Sequence, residues 1–106
     1  MEEAILKNLS KIAKTRGILL TFEKDQVLFY QDHQPFGAFL VEEGKVALMR
    51  DSAHGKKAPQ AVQSAGSFLG VDNLLKNQPY PATATCLEKS RIYFLPRPQI
   101  EKWLGK

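Results

Sequence analysis

The chain has 106 residues, of which 43% are hydrophobic and 25% are charged, and its formal net charge is +4. This length suits one domain with one core, and the composition is that of an ordinary globular protein that folds by itself. No stretch approaches the roughly 20 apolar residues of a membrane-spanning helix, and the N-terminus lacks the features of a signal peptide, so we expect a cytoplasmic protein.

The first predicted element is an amphipathic helix over residues 1–17, with Gly17 as its C-terminal cap. Apolar residues recur at helical spacing, opposite a basic face formed by Lys7, Lys11 and Lys14. This lysine face has two interpretations. It is a solvated surface behind a core-facing stripe, or it binds an acidic protein partner.

The pattern then changes from helical to extended. Short apolar runs predict strands over 18–22, 26–30, 36–42, 45–50, 61–65, 82–87 and 91–95. Glu43-Gly44 predicts a hairpin, because an acidic residue followed by Gly favours a tight turn. The polar segment 51–60 is expected to be a mobile loop at a hairpin tip. A short helix near 71–76 and a C-terminal helix over 97–104, with Ile100, Trp103 and Leu104 facing inward, complete a mainly β single domain over 1–106 with its barrel or sandwich at 18–95.

The stretch from Gly66 to Thr85 has the layout of a loop that cradles phosphate. Gly66 and Gly70 would let the backbone approach an anion, and a helical turn follows them. Between Val71 and Ala84, however, the only cation is Lys76. Tyr80 lies where an arginine would be useful, and a tyrosine offers neither a charge nor a bidentate fork.

This order of elements resembles the cyclic-nucleotide-binding domain of the catabolite-activator and fumarate-nitrate regulator superfamily. The resemblance covers residues 18–104 and is carried by KDQVLFYQDHQPFGAFLVEEGKVALMR, GSFLGVDNLL and PYPATA. It implies a double-stranded β-helix, that is a jelly-roll barrel with flanking helices, whose ligand is held by a phosphate-binding cassette.

The resemblance also assigns roles within that cassette. Gly70 corresponds to the cassette glycine, Val71 to the glutamate that accepts the ribose hydroxyl, and Tyr80 to the arginine that pairs the cyclic phosphate. Ala82 and Thr83 keep the small residues that let the ligand approach, and Asp72 and Asn73 complete the candidate ligand-binding set. Asp72 replaces the lost glutamate only if the turn shifts by one residue.

Losing both polar anchors would weaken binding by about 3–6 kcal/mol, or roughly two to four powers of ten. We therefore expect no binding of cAMP or cGMP. Two alternatives remain for the barrel interior. Either it holds a different small ligand, less anionic and more apolar, or Tyr80 and Leu74 fill it and the domain is structural or a protein-interaction module.

Catalysis is not indicated by the sequence. His33 and His54 both fall in predicted loops without a His-x-His pair, and the serines show no nucleophile motif, so we expect neither metal nor cofactor. The single Cys86 is expected to be a small core residue. The chain ends where relatives that regulate transcription continue into a DNA-binding domain, so direct nucleic-acid binding is not expected. A homodimer, and the choice between a complete protein and a sensory fragment, stay open.

Overall fold

The computed structural model describes residues 3–51 and 57–103. Within these ranges the chain forms three helices and eight strands. They are α1 (Glu3–Arg16), β1 (Ile18–Phe22), β2 (Val27–Phe29), β3 (Gly37–Glu43), β4 (Val46–Asp51), β5 (Lys57–Gln63), β6 (Phe68–Leu69), α2 (Val71–Leu75), β7 (Thr83–Cys86), β8 (Ser90–Pro96) and α3 (Arg97–Trp103).

The strands form two four-stranded antiparallel sheets. The first has the order β1-β8-β3-β6 and the second the order β2-β7-β4-β5. Because most connections carry the chain from one sheet to the other, sequential strands are seldom hydrogen-bonded neighbours, which is the pattern of a jelly roll. The predicted fold class, a mainly β jelly-roll barrel with flanking helices, is confirmed.

Within the first sheet, β3 is buried on both faces, and this explains its long apolar run. Successive strand residues point to opposite faces. Phe39 and Val41 belong to an inner core cluster between the sheets. Ala38 and Leu40 belong to an outer cluster beneath the helices. A strand covered on both sides therefore shows a continuous apolar run instead of alternation.

The outer cluster holds the helices against this sheet. Leu9 and Ala13 come from α1, Leu74 from α2 and Ile100 from α3, and each is nearly inaccessible to solvent. The cassette helix α2 is thus anchored by apolar contacts on the side away from the barrel interior. No described helix has the length and apolar character that crossing a bilayer requires.

The hairpin predicted at Glu43-Gly44 is wrong. β3 pairs with β6 and β8, whereas β4 pairs with β5 and β7, so this turn connects the two sheets. Gly44 has φ of 111°, and a Cβ there would collide with the Ser90 side chain. The glycine is needed because the chain turns a tight corner directly against β8.

The hairpin between β4 and β5 is confirmed, but its arms are longer than predicted. β5 begins at Lys57 and ends at Gln63, whereas the apolar pattern predicted a strand at 61–65, so the end of the predicted polar loop is strand. The two-residue strand β6 was not predicted. Residues 52–56 of the loop, including His54, and Leu104 of the predicted C-terminal helix lie outside the described residues.

Candidate functional site

The cassette is built around Gly70, which precedes α2. Gly70 has a left-handed backbone with φ of 83°, and its carbonyl accepts a hydrogen bond from the Leu74 amide at 3.0 Å. A Cβ at this position would lie 3.0 Å from Cε1 of Tyr80 and 3.3 Å from the Gly37 carbonyl oxygen. Both the positive φ and the packing against Tyr80 therefore require glycine here, without any ligand.

A pocket of about 380 Å³ opens beside this turn. Its lining comes from strands of both sheets and from the cassette: Phe29, Leu48, Gln63, Gly66, Phe68, Leu69, Gly70, Val71, Asp72, Asn73, Pro81 and Ala82. Ligand pockets in proteins measure about 300–1,000 Å³, so this volume is sufficient for a small molecule. The barrel is therefore not completely filled by side chains.

The charge of this lining is unusual for a site that would hold a phosphate. Asp72 is the only charged residue among the lining residues, and none of them is Lys, Arg or His. Asp72 is solvent-exposed at the first turn of α2. An anion in the pocket would lie near a carboxylate and would find no cation among these lining residues.

Tyr80 does not line the pocket but fills the core behind it. Its side chain is fully buried, and its ring stacks on Phe29 with centroids 4.0 Å apart and planes 17° from parallel. Phe36 meets the same ring edge-on at 5.7 Å. Tyr80, which the resemblance assigns to the position of the family's arginine, is thus an aromatic core residue, separated from the pocket by Phe29 and Gly70.

The Tyr80 hydroxyl is fully engaged with backbone groups. It donates to the Gly37 carbonyl at 2.7 Å and accepts from the amides of Phe36 at 3.2 Å and Gly37 at 3.4 Å. β6 ends at Leu69, opposite Phe39, so it offers Gly37 no partner on that edge. The phenol therefore provides the hydrogen bonds that a neighbouring strand would otherwise give to Gly37. Burial raises the pKa of Tyr80 above its ordinary value.

Of the remaining predicted site residues, three line the pocket and Thr83 does not. Asp72, Asn73 and Ala82 line the pocket together with Gly70 and Val71. Val71 is nonetheless only 4% exposed and packs in the outer cluster, where an unpaired carboxylate would be costly.

Thr83 is absent from the pocket lining. Its Oγ1 accepts a hydrogen bond from the Gln31 amide at 2.9 Å, which ties β7 to the end of β2. Leu74 lies in the outer cluster, so the prediction that it fills the barrel with Tyr80 is wrong for Leu74.

Two contributions to the site were missed by sequence reasoning. Leu48 and Gln63 reach the pocket from β4 and β5, and only the strand pairing reveals that these strands face the cassette. Arg97 was also missed. It donates to Asn77 Oδ1 at 2.8 Å, to the Pro35 carbonyl at 3.2 Å and to Glu101 Oε1 at 2.7 Å, so it connects α3 to the end of the cassette.

The other candidate residues lie apart from the pocket. Cys86 is buried in the inner cluster, and burial raises the pKa of its thiol. His33 lies in the loop between β2 and β3, with its ring 5.5 Å from that of Tyr30. Over residues 3–51 and 57–103, no three His, Cys, Asp or Glu side chains are grouped so that they could hold a metal ion.

The lysine face is exposed. Lys7, Lys11 and Lys14 are all solvent-accessible on α1. The two ion pairs formed in the described part of the chain, Arg91 with Glu43 and Arg97 with Glu101, involve none of them. Among the side chains that the structure describes, no carboxylate forms an ion pair with this face.

Comparison with known proteins gives one family. The model of the cyclic nucleotide-binding domain matches residues 19–106. A search of curated proteins finds no match. Solved structures that resemble the chain include a candidate cAMP-binding regulatory protein from Silicibacter pomeroyi DSS-3, at 21% identity and a TM-score of 0.82, with 93% of this chain and 45% of that chain covered.

Two further structures share the fold. The N-terminal domain of a transcriptional regulator from Streptomyces coelicolor A3(2) has 23% identity and a TM-score of 0.78, with 99% of this chain and 72% of that chain covered. The cAMP-bound form of the EAL enzyme Bd1971 has 21% identity and a TM-score of 0.75, with 84% and 24% covered. The chain thus spans less than half the length of the Silicibacter pomeroyi protein and about a quarter of Bd1971.

Proposed function

The chain belongs to the cyclic nucleotide-binding domain family, and on that premise we propose that it is a non-enzymatic regulatory domain whose pocket does not bind cAMP or cGMP. The observation that carries this proposal is the position of Tyr80. Where the family resemblance places a phosphate-pairing arginine, this chain has a fully buried ring that faces Phe29 and Gly37 instead of the pocket.

The loss of the arginine has no compensation among the residues that line the pocket. An arginine pairs a phosphate through a bidentate, charge-assisted contact that is worth roughly 1.5–3 kcal/mol. The described lining residues include no cation, and the exposed Asp72 adds a modest repulsion of the phosphate. We expect cyclic nucleotides not to bind, mainly because no described lining residue replaces the arginine.

The second anchor supports the same proposal. At the position of the ribose-binding glutamate, Val71 packs into the outer cluster and offers no hydrogen bond. The neighbouring Asp72 provides a carboxylate at the pocket, which could accept a ribose hydroxyl. One such hydrogen bond contributes only about 1.5–3 kcal/mol, too little to offset an unpaired phosphate.

Calorimetric titration tests this proposal. The purified domain is titrated with cAMP and then cGMP, and Bd1971, for which cAMP-bound and cGMP-bound forms exist, provides the positive control. We expect saturable heat from the control and none from this domain up to millimolar nucleotide. Micromolar binding of either nucleotide to this domain would overturn the proposal.

An interaction role is the second candidate, and the exposed lysine face favours it. Three like charges on successive turns of α1, without carboxylate neighbours among the described side chains, fit an acidic protein partner.

A homodimer also remains a prediction, which sedimentation velocity over a range of protein concentrations would test.

A further inference from the structure

The body of the pocket is apolar. Phe29, Leu48, Phe68 and Leu69 contribute aromatic and aliphatic surface, and Phe29 is held in place by its stacking on Tyr80. Because Phe29 packs tightly against Tyr80, this side of the pocket is preformed and is not closed by a mobile side chain. Such a surface favours a flat, apolar ligand portion.

The polar part of the lining consists of three side chains that have no hydrogen-bond partner in the described part of the chain. Asp72 and Asn73 come from α2, and Gln63 comes from the end of β5. None of the three side chains forms a hydrogen bond to another residue within 3–51 and 57–103. A carboxylate accepts hydrogen bonds only, and the two amides both accept and donate.

We propose that the pocket binds a small amphipathic molecule with a flat apolar body and a hydrogen-bond-donating, preferably cationic, head group at Asp72. This inference rests on the proposed function, because a pocket that held a cyclic phosphate would require the opposite charge. The apolar body lies against Phe29, Leu48 and Phe68, and the head group donates to the Asp72 carboxylate, with Asn73 and Gln63 as further partners.

Three indole compounds with the same ring and different charge test this proposal. They are tryptamine, a cation, tryptophol, which is neutral, and indole-3-acetate, an anion. Binding is followed by amide chemical shifts of the ¹⁵N-labelled domain, where Gly66, Gly70 and Asp72 report the pocket directly. We expect tryptamine to bind most tightly and indole-3-acetate most weakly, with about a fivefold ratio of dissociation constants for an exposed carboxylate.

Matched variants assign this preference to Asp72. In Asp72→Asn the ratio between tryptamine and indole-3-acetate should fall to about one. Glu88→Gln is the control, because Glu88 is also an exposed carboxylate residue but lies in the turn before β8, outside the pocket lining. In that variant the ratio should be unchanged.

Gln63→Trp, which obstructs the pocket from β5, tests whether the compounds bind in the pocket. It should weaken the binding of all three compounds, while the circular dichroism spectrum stays that of the folded domain.

Three results would overturn the inference. They are the absence of pocket shifts with all three compounds at millimolar concentration, equal or tighter binding of indole-3-acetate than of tryptamine, and an Asp72→Asn variant that keeps the wild-type ratio. Each of them leaves the exclusion of cyclic nucleotides standing. Conversely, micromolar cAMP binding in the separate calorimetric titration would contradict the proposed function whatever the indole compounds do.

Discussion

Tyr80 is the residue whose structural role most affects how the function of the cassette is interpreted. Residue type and spacing were sufficient to predict that Tyr80 stands where the family resemblance places a charged arginine. Its stacking on Phe29 and its bonds to Gly37 could not, because they depend on the early end of β6 and on a loop more than 40 positions away along the chain. Tyr80 is therefore a structural residue with its own reason for being tyrosine.

Removal of the Tyr80 hydroxyl should destabilise the fold. In Tyr80→Phe the ring stacking is kept, but the buried backbone of Gly37 loses its partner, so we expect a loss of about 1–3 kcal/mol in the free energy of unfolding. Urea denaturation measures this loss. Tyr30→Phe is the matched control, because Tyr30 is 53% exposed, and its effect should lie within about 0.5 kcal/mol of zero. Equal effects of the two variants would contradict the role assigned to the phenol.

The same phenol predicts a dependence of stability on alkaline pH. Burial raises the pKa of Tyr80 above the ordinary 10.0, while its backbone hydrogen bonds and Arg97 lower it in part. A raised pKa means that the folded state holds its proton longer. The contribution is therefore fully present below the unfolded pKa and is lost as the pH rises through the folded pKa.

We therefore expect the stability gap between wild type and Tyr80→Phe to narrow from about pH 9 to about pH 11. All other ionisable groups are the same in the two proteins, so their effects cancel in this difference. Urea denaturation at each pH, together with the ultraviolet absorbance of tyrosinate, provides the measurement. A gap that widened with pH would show that the pKa is lowered instead.

At the scale of elements, Arg97 joins the cassette to the C-terminal helix. Its guanidinium contacts Asn77 after α2, the Pro35 carbonyl before β3 and Glu101 within α3. A lysine cannot reproduce this three-way contact, because it lacks the planar fork. Arg97 thus couples the end of the cassette to α3, in addition to the apolar contacts that both helices make in the outer cluster.

Arg97→Lys should lower the free energy of unfolding by about 1 kcal/mol. Arg91→Lys provides the control, because Arg91 forms only an exposed 3.8 Å ion pair with Glu43, which is expected to contribute about 0–1 kcal/mol. Thermal and urea denaturation of both variants give the comparison. If Arg97→Lys is no more destabilising than Arg91→Lys, the connection between α2 and α3 does not depend on the guanidinium.

The elements also show what local sequence can predict. β1, β3 and β8 were predictable because their apolar and β-branched residues extend over whole strands. β6 has only two residues and no periodicity of its own. The turn at Glu43-Gly44 has the local chemistry of a hairpin, yet its flanking strands lie in different sheets, and that assignment depends on long-range pairing. The pocket lining from β4 and β5 was hidden for the same reason.

For the whole molecule, the exposed lysine face dominates the described surface of α1, and the net charge of +4 has the same sign. Replacing Lys7, Lys11 and Lys14 with glutamate should leave the melting temperature nearly unchanged, because all three are exposed. Binding to polyglutamate, used as an acidic peptide probe, should be lost in this variant and should weaken steeply with salt in the wild type. Unchanged binding by the variant would argue against an acidic partner on α1.

The whole domain combines the family fold with a pocket for which we propose the opposite charge preference. The jelly roll, the cassette turn at Gly70 and an open volume of about 380 Å³ are present, and Tyr80, at the position that the resemblance assigns to the phosphate-pairing arginine, is a core residue. Glycine at position 70 is explained by its positive φ and by its packing against the Tyr80 ring. The cassette turn therefore needs no nucleotide to account for this glycine.

The most direct test is a crystal structure of the domain grown with saturating cAMP. We expect no nucleotide density between Gly70 and Ala82, and we expect the Tyr80 hydroxyl to remain on the Gly37 carbonyl. Clear density for a cyclic phosphate beside Gly70, with or without displacement of Tyr80, would contradict the account.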